Sequence, residues 1–391
     1  MQSPMEKRDV RLAVVGVSSR GRMVWPAHRP GEGSAIVALC DTDPEALAKA
    51  QADLPGAELY TTTRMEELVR REDVDAIFLC TPDHLHEEHA LICLAAGKHL
   101  FLEKPLAITI EGCDRILAAA EKSKGKLYVG HNMRFFPVFQ KMREIIVSGR
   151  IGQVQAIWCR HFIAYGGDAY FKDWHSQRQY TQGLLLQKGA HDIDVIHWLA
   201  GGHTRRVVGM GKLSVYDQIA DRRPPGEVKK LPRATPPPWP PLSHQGMSAA
   251  IDVEDHSMIL MQLDNGVQAS YQQCHYTPDE QRNYTVIGTE GRIENFGDHS
   301  SDNNWATIRL WTSRCVYQEE GTEVIKILPT PGGHGGADPG VIEDFLNVVR
   351  GGEAKGACPL DARMSVAAGW LATESLRNQN MPYDIPPVRR E

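Results

Sequence analysis

The chain has no apolar run near the ~20 residues needed to span a bilayer, so the sequence offers no transmembrane helix. None of its eight cysteines forms a Cys-x-x-Cys pair. Cys40, Cys80 and Cys93 lie instead in apolar segments, a pattern of reduced, buried thiols in a cytoplasmic protein and not of a disulfide framework. Positive charge is not in excess: 43 Lys and Arg against 49 Asp and Glu leave a net charge of −6, which argues against a nucleic-acid groove. The opening residues, MQSPMEKRDVR, mix charge and polarity without an apolar core, so no secretory signal is expected. What remains is an ordinary globular composition, 42% apolar and 24% charged over 391 residues, enough for two domains with substantial cores.

The first third alternates strand-like and helix-like segments. VRLAVVGV (10–17), SAIVALCDTD (34–43), DAIFLCTP (75–82), HLFLEKP (99–105) and KLYVGHN (126–132) are short apolar runs bounded by turn residues. Between them lie PEALAKAQA, HEEHALICLAAGK and EGCDRILAAAEKSKG, which have helical composition. This alternation predicts a parallel sheet covered on both faces, with ligands bound beyond the carboxyl ends of the strands. The first strand-to-helix turn reads Gly16-Val17-Ser18-Ser19-Arg20-Gly21, a G-x-G-x-x-G fingerprint with Ser18 in the second glycine's place. A serine there is a mild departure, because its hydroxyl can donate to a phosphate. The following helix start offers unpaired N–H groups to the same anion. Asp41 ends the second strand, where a carboxylate accepts ribose hydroxyls and repels a 2′-phosphate, so NAD is expected over NADP.

The stretch 74–109, with Thr81-Pro82 and His86, then AGKH, then Glu103-Lys104-Pro105, resembles the Gfo/Idh/MocA oxidoreductase family. The likeness continues through GHNMRFFP (130–137), RIGQV (150–154), GTEGRIE (288–294) and GGHGGADPGVIEDFL (332–346). It implies an α/β fold: an N-terminal Rossmann doubly wound parallel sheet, then a C-terminal α/β domain with a large, open, mostly antiparallel sheet. A dinucleotide-binding domain over 1–130 and a substrate and oligomerisation domain over 131–391 are expected, with the last helices packing back on the first domain. The resemblance also implies homo-oligomers, dimers or tetramers, formed through the open sheets. After residue 150 the runs VQAIWCRHF, HSMILMQL, GVQASYQQCHY, NYTVIGT and WATIRLW read as strands, with a hairpin signal at Leu263-Asp264-Asn265-Gly266. Residues 221–241 hold eight prolines and can be neither helix nor inner strand. They read as an extended insertion, equally open to a role over the site, in a subunit contact, or to none.

The resemblance places Lys104 beside the nicotinamide and the reacting carbinol. An aqueous lysine is a poor base at neutral pH, so that role asks for desolvation. Glu103 could orient it, and Gly16, Ser18, Ser19, Arg20, Gly21, Asp41, Thr81, Pro82, His86, Glu103 and Lys104 form the expected cofactor set. In GLLLQKGAHDID (183–194) helical spacing sets Gln187 beside His191, while Asp192 and Asp194 are expected to cap or face solvent. The family's dehydrogenases carry an aspartate where this chain has Gln187, with His191 retained. Glutamine cannot take up a proton, although it can hold a sugar hydroxyl.

That exchange, together with FKDWHSQRQYTQG (171–183), turns the expectation toward the family's NAD-dependent glycoside hydrolases, which oxidise a ring carbinol, eliminate, add water and reduce again. Lys172, Trp174, His175 and Arg178 would recognise an anionic carboxylate or sulfonate glycoside, with Arg134, Arg160 and His334 as further candidates in the pocket. A plain NAD-dependent sugar or cyclitol dehydrogenase is the alternative, and a non-catalytic cofactor sensor a third class. His84, His86 and His89 with Glu87 and Glu88 look like metal ligands, but the order HEEH is not H-E-x-x-H, and no metal is expected. The expected partner is a carbohydrate, without nucleic acid or membrane.

Overall fold

The computed structural model describes residues 8–227, 234–300 and 304–389. The chain forms two compact units. One takes in residues up to Phe135 with Pro331–Arg363 and the end from Val388; the other comprises Phe136–Thr330 and Met364–Pro387.

The first unit is built on β1 (Val10–Val15), β2 (Ser34–Cys40), β3 (Tyr60–Thr62), β4 (Ala76–Leu79), β5 (His99–Leu102) and β6 (Leu127–Val129). They form one sheet in the order β3-β2-β1-β4-β5-β6, parallel throughout. Parallel strands covered on both faces must be apolar at every position, and Ala76, Ile77, Phe78 and Leu79 of β4 are all fully buried. Phe78 and Phe101 sit 4.8 Å apart, and Phe345 from the helix Ala337–Val349 meets Phe78 edge-on at 5.0 Å. The strand order reverses between β1 and β4, the switch point at which such sheets bind ligands.

The five strand-like runs of the first third all appear, with β3 the addition. The segment after the first turn is not an α-helix but a 3-10 helix, Arg20–Ala27, with Pro26 inside it. Proline has no N–H to give an α-helical ladder, and its ring crowds the preceding turn.

The second unit carries β7 (Val154–Phe162), β8 (Thr204–Lys212), β9 (His256–Leu263), β10 (Gln268–Cys274), β11 (Gln281–Gly288), β12 (Arg292–Phe296), β13 (Thr307–Trp311), β14 (Glu323–Lys326) and β15 (Tyr383–Asp384). Their order is β14-β13-β12-β11-β7-β10-β9-β8-β15. Only β7 and β10 pair in parallel among the described neighbours, so the sheet is mixed and mostly antiparallel. The expected hairpin joins β9 to β10: Leu263 N donates to Val267 O at 2.9 Å, and Gly266 takes φ 88°. The helix Gly189–Ala200 lies on β7 and β10 and ends at Gly201 in the left-handed conformation. The opposite face is open, and Trp158, Met210, Met258 and Leu260 are exposed on neighbouring strands.

The described parts of the proline-rich stretch hold an isolated bridge from Arg222 to Met247 and a 3-10 turn at Pro241–Ser243; residues 228–233 lie outside the described residues. Its flanks contribute Tyr216, Ile219, Met247 and Val253 to a small core with Ile163, Tyr170, Phe171 and Leu184.

Candidate active site

In the first unit the carboxyl ends of the strands present the turn 16–21, Asp41, Thr81-Pro82 and Glu103-Lys104-Pro105. Gly16 has φ 86°, and a Cβ there would stand 2.6 Å from the carbonyl oxygen of Cys80. A Cβ on Gly21 would stand 2.2 Å from the Gly16 carbonyl oxygen. Both glycines are therefore needed for the turn to close against its neighbours. Val17 N donates to Asp41 Oδ2 at 2.9 Å and Asp43 N to Oδ1 at 3.1 Å, which fixes the carboxylate at the mouth of the turn. Ser18 and Ser19 are exposed. A tight glycine turn, two open hydroxyls and an anchored carboxylate fit NAD, with the turn to hold its pyrophosphate and Asp41 its ribose.

Arg20, an expected cofactor contact, is committed to the protein. Its Nε is 2.7 Å from Glu103 Oε1 and its Nη2 2.9 Å from Asp338 Oδ1. Burial opposes the charge of Arg20, but Glu103 and Asp338 outweigh it and raise its pKa. Burial likewise works against ionisation of Asp338, yet His334 and Arg20 hold that carboxyl well below the usual range. His334 Nδ1 lies 2.8 Å from Asp338 Oδ2 and 3.1 Å from Arg20 Nη1. The tautomer that donates to the carboxylate accounts for both distances, with the arginine contact one of proximity. Asn132 Nδ2 donates to Asp338 Oδ1 at 3.3 Å. Glu103 also accepts from the backbone N of half-buried Lys104 through Oε2, at 3.2 Å. Glu103 thus joins the glycine turn to the lysine loop, and it orients Lys104 through the backbone.

His86 is buried, with Nδ1 2.6 Å from Pro105 O and Nε2 2.9 Å from Thr81 O. It ties the Thr81-Pro82 turn to the Glu103–Pro105 loop, a positioning role. Thr81 Oγ1 lies 3.2 Å from His89 Nδ1. Glu87 is paired with Arg115. Among the described residues no group of three or more His, Cys, Asp or Glu is arranged to hold a metal. Arg134 is buried, with Nη2 3.2 Å from Asp361.

In the second unit Gln187 closes the short helix Leu184–Gln187, and His191 lies in the first turn of Gly189–Ala200, with Lys188 in helical conformation between them. Gln187 and Lys188 are buried; His191 is half-buried. Asp192 and Asp194 do not face solvent, as expected from the sequence, but are fully buried. Asp192 accepts from Tyr284 Oη at 2.5 Å, pairs with Arg282 Nε at 2.8 Å and lies 3.1 Å from His161 Nδ1. Burial disfavours its charge, but Arg282 and His161 hold its pKa far below the usual range. Arg282 also meets Asp298 at 2.8 Å. This network is not legible in the sequence, because its members are scattered over β7, β11 and the helix; the one local signal is an aspartate inside an apolar helical run.

The stretch 171–183 differs from its expected role as an open cationic cluster. Lys172 Nζ is 2.7 Å from Asp168, and Arg178 gives its backbone N to Asp252 at 2.7 Å and Nη2 to Glu254 at 3.6 Å. His175 Nδ1 is 2.5 Å from Asp173, and Trp174 stacks on its ring at 3.7 Å. Carboxylates within the protein already meet these cations. Arg160 is bound to Asn283 at 2.7 Å.

Two family descriptions match the chain. Residues 10–131 fit the GFO/IDH/MocA oxidoreductase family with an NAD-binding Rossmann fold, and residues 139–294 fit the GFO/IDH/MocA C-terminal domain. A Bacillus subtilis protein named as an oxidoreductase, YteT, is 27% identical over 350 residues, 80% of this chain and 82% of its own length. The 1-carboxy-3-chloro-3,4-dihydroxycyclohexa-1,5-diene dehydrogenase of Comamonas testosteroni is 34% identical over 226 residues, 57% of this chain and 54% of that protein. The inositol 2-dehydrogenase of Serratia proteamaculans is 32% identical over 193 residues, 49% of this chain and 54% of that protein. Levoglucosan dehydrogenase, solved in complex with NADH, shares the fold at TM-score 0.76 and 18% identity, over 97% of this chain and 100% of that one. The anchored carboxylate and glycine turn, the Glu103-Lys104-Pro105 loop and both matched descriptions agree: the chain belongs to the GFO/IDH/MocA family of NAD-binding oxidoreductases.

Proposed function

We propose that the protein is an NAD-dependent dehydrogenase of a sugar or cyclitol, oxidising a ring carbinol to a ketone. The observation that carries this reading is the Rossmann turn with its anchored Asp41, followed by the Glu103-bound Lys104 loop. Two of the relatives named above act, by their names, on inositol or on a dihydroxylated carbocycle. The hydrolase expectation needed a second acid–base group from 171–183, and Lys172, His175 and Arg178 are held by Asp168, Asp173, Asp252 and Glu254. That supports the dehydrogenase over the glycosidase.

Bound NAD supplies the acceptor for the carbinol hydrogen. On this reading Lys104 takes the hydroxyl proton as the carbonyl forms, and in the second unit His191 hydrogen-bonds a substrate hydroxyl. Gln187 holds a neighbouring hydroxyl. Glu103 acts on Lys104 through its backbone and is a positioning residue. We further assign a homo-oligomer joined through the open sheet face, because Trp158, Met210, Met258 and Leu260 form an exposed apolar patch on it. The free state of all eight cysteines supports a reducing, cytoplasmic setting.

The test follows NADH absorbance with NAD and a panel of aldoses, inositols and aryl glycosides. Stoichiometric NADH from a free polyol, lost in Lys104→Met while NAD still binds, supports the reading. Aglycone release over many turnovers without net NADH overturns it.

A further inference from the structure

We propose that Lys188 and His275 form an anion-recognising subsite in the second unit, so that the substrate ring carries a carboxylate beside its hydroxyls. The proposal rests on the dehydrogenase reading above and specifies its substrate class.

A buried ammonium needs compensation, because removing it from water costs several kcal/mol, on the order of the values for buried ions. Lys188 is 8% exposed. Its Nζ donates to Tyr165 Oη at 3.0 Å and stands 5.6 and 5.9 Å from the ring centres of Tyr165 and Tyr170. Among the described residues no carboxylate lies within ion-pair distance of it. An ammonium has three donors, and a phenol oxygen with two ring faces answers only part of that capacity. Arg282, whose charge is felt at Lys188, makes the contrast. Two carboxylates, Asp192 and Asp298, hold it at 2.8 Å each. Among the described residues, one buried cation here is met by two carboxylates at ion-pair distance and the other by none, Glu280 feeling the charge of Lys188 without pairing with it.

His275 supplies an independent observation. It follows β10, is fully buried, and among the described residues neither ring nitrogen has a hydrogen-bond partner. Its ring packs edge-on against Tyr170 at 5.1 Å, so Lys188 and His275 both adjoin the ring of Tyr170. Burial, with the charges of His161 and Lys188 nearby, lowers its pKa well below the usual histidine value. It is therefore neutral, with one N–H to donate and one nitrogen to accept. Its backbone is pinned, since Tyr216 Oη donates to His275 O at 2.7 Å and His275 N donates to Asp255 O at 2.9 Å. A hydroxy acid matches this set. Its carboxylate takes donors from Lys188 and from one imidazole nitrogen of His275, and the other nitrogen, which points away from the first, is left for a remote hydroxyl of the ring. A neutral polyol leaves the ammonium uncompensated.

The test titrates the NAD-loaded protein by calorimetry with matched pairs: D-glucuronate against D-glucose, and quinate against myo-inositol. At least one acid should bind about tenfold or more tightly than its neutral partner, as charge-assisted hydrogen bonding predicts. Lys188→Met should abolish that preference and Lys188→Arg retain much of it, with NAD binding unchanged in both. His275→Gln, which is close in volume and polar, should weaken acid binding alone and serves if Lys188→Met does not fold. Equal or weaker binding of both acids, silence included, overturns the subsite, as does a preference that survives Lys188→Met. NADH formed from a neutral polyol without acid preference leaves the dehydrogenase standing and removes the subsite. Acid binding without NADH does the reverse.

Discussion

Replacing Asp192 by asparagine changes one charge and almost no volume. In the native protein that carboxylate is fully buried and faces Arg282, His161 and Tyr284. Cys159 Sγ lies 3.7 Å away. The amide oxygen can stay on Tyr284 and Arg282, which both meet Oδ1, with the NH₂ on the Oδ2 side toward His161 Nδ1; what is lost is the negative charge that compensates Arg282. Breaking a buried ion pair from one side costs roughly 3–5 kcal/mol. Asp298 remains on Arg282, which sets the expectation at the lower end, about 3 kcal/mol. For a domain of roughly 200 residues that corresponds to a fall in Tm of about 6–12 °C. Urea unfolding at pH 7.5, followed by circular dichroism and by tryptophan fluorescence, reads the change, and a shift in midpoint at constant slope identifies it as stability. The solvent-side Asp264→Asn, at the β9–β10 hairpin, is the comparison and should cost far less. A loss below about 0.5 kcal/mol for Asp192→Asn, the range of ordinary surface changes, would refute the argument that this aspartate organises the unit beneath His191.

Three further outcomes follow from the same physics. His161 is held down at about 4 by burial first and by Arg282 second, despite Asp192. A histidine whose pKa falls from ~6.5 on folding contributes stability that is fully present above pH ~6.5 and disappears as pH falls toward 4, about 3 kcal/mol in all. Urea midpoints measured from pH 7.5 to 4.5 should decline over that window, and less steeply in His161→Gln. Asp41→Ala removes the carboxylate we propose for the ribose; a charged hydrogen bond of about 1.5–3 kcal/mol predicts a Kd for NAD raised roughly ten- to hundredfold, with NADP binding relatively improved, by fluorescence titration. Gly16→Ala forces a Cβ to within 2.6 Å of the Cys80 carbonyl at a positive φ, and should weaken NAD binding at least as much as Asp41→Ala.

The parallel sheet was readable because five of its six strands lie in short, mostly apolar runs between turn residues, as burial on both faces demands; β3, the short edge strand Tyr60–Thr62, carries no such signal. The helix bearing His191 was readable for a similar reason, its apolar spacing ending in Gly201, which takes φ 70°. What escaped were relations between distant residues. Asp192 looks like a solvated helix residue until β11 brings Arg282 and Tyr284 to it. Lys172 and Arg178 look like open cations until Asp168, Asp252 and Glu254 are placed beside them. Arg20 reads as a phosphate contact in its turn, yet Asp338, more than 300 positions along, takes its guanidinium. Local composition determines burial and periodicity, whereas ion pairing depends on which segments the fold brings together. Lys188 was legible only as the neighbour of Gln187; its isolation from carboxylates is a property of the folded unit.

The most direct test of the central claim is simultaneous measurement of NADH and aglycone with purified protein, NAD, free sugars, inositols and aryl glycosides, neutral and carboxylated. A dehydrogenase accumulates NADH in proportion to ketone from a free polyol, with no aglycone released. Sustained aglycone release at constant NAD would contradict it.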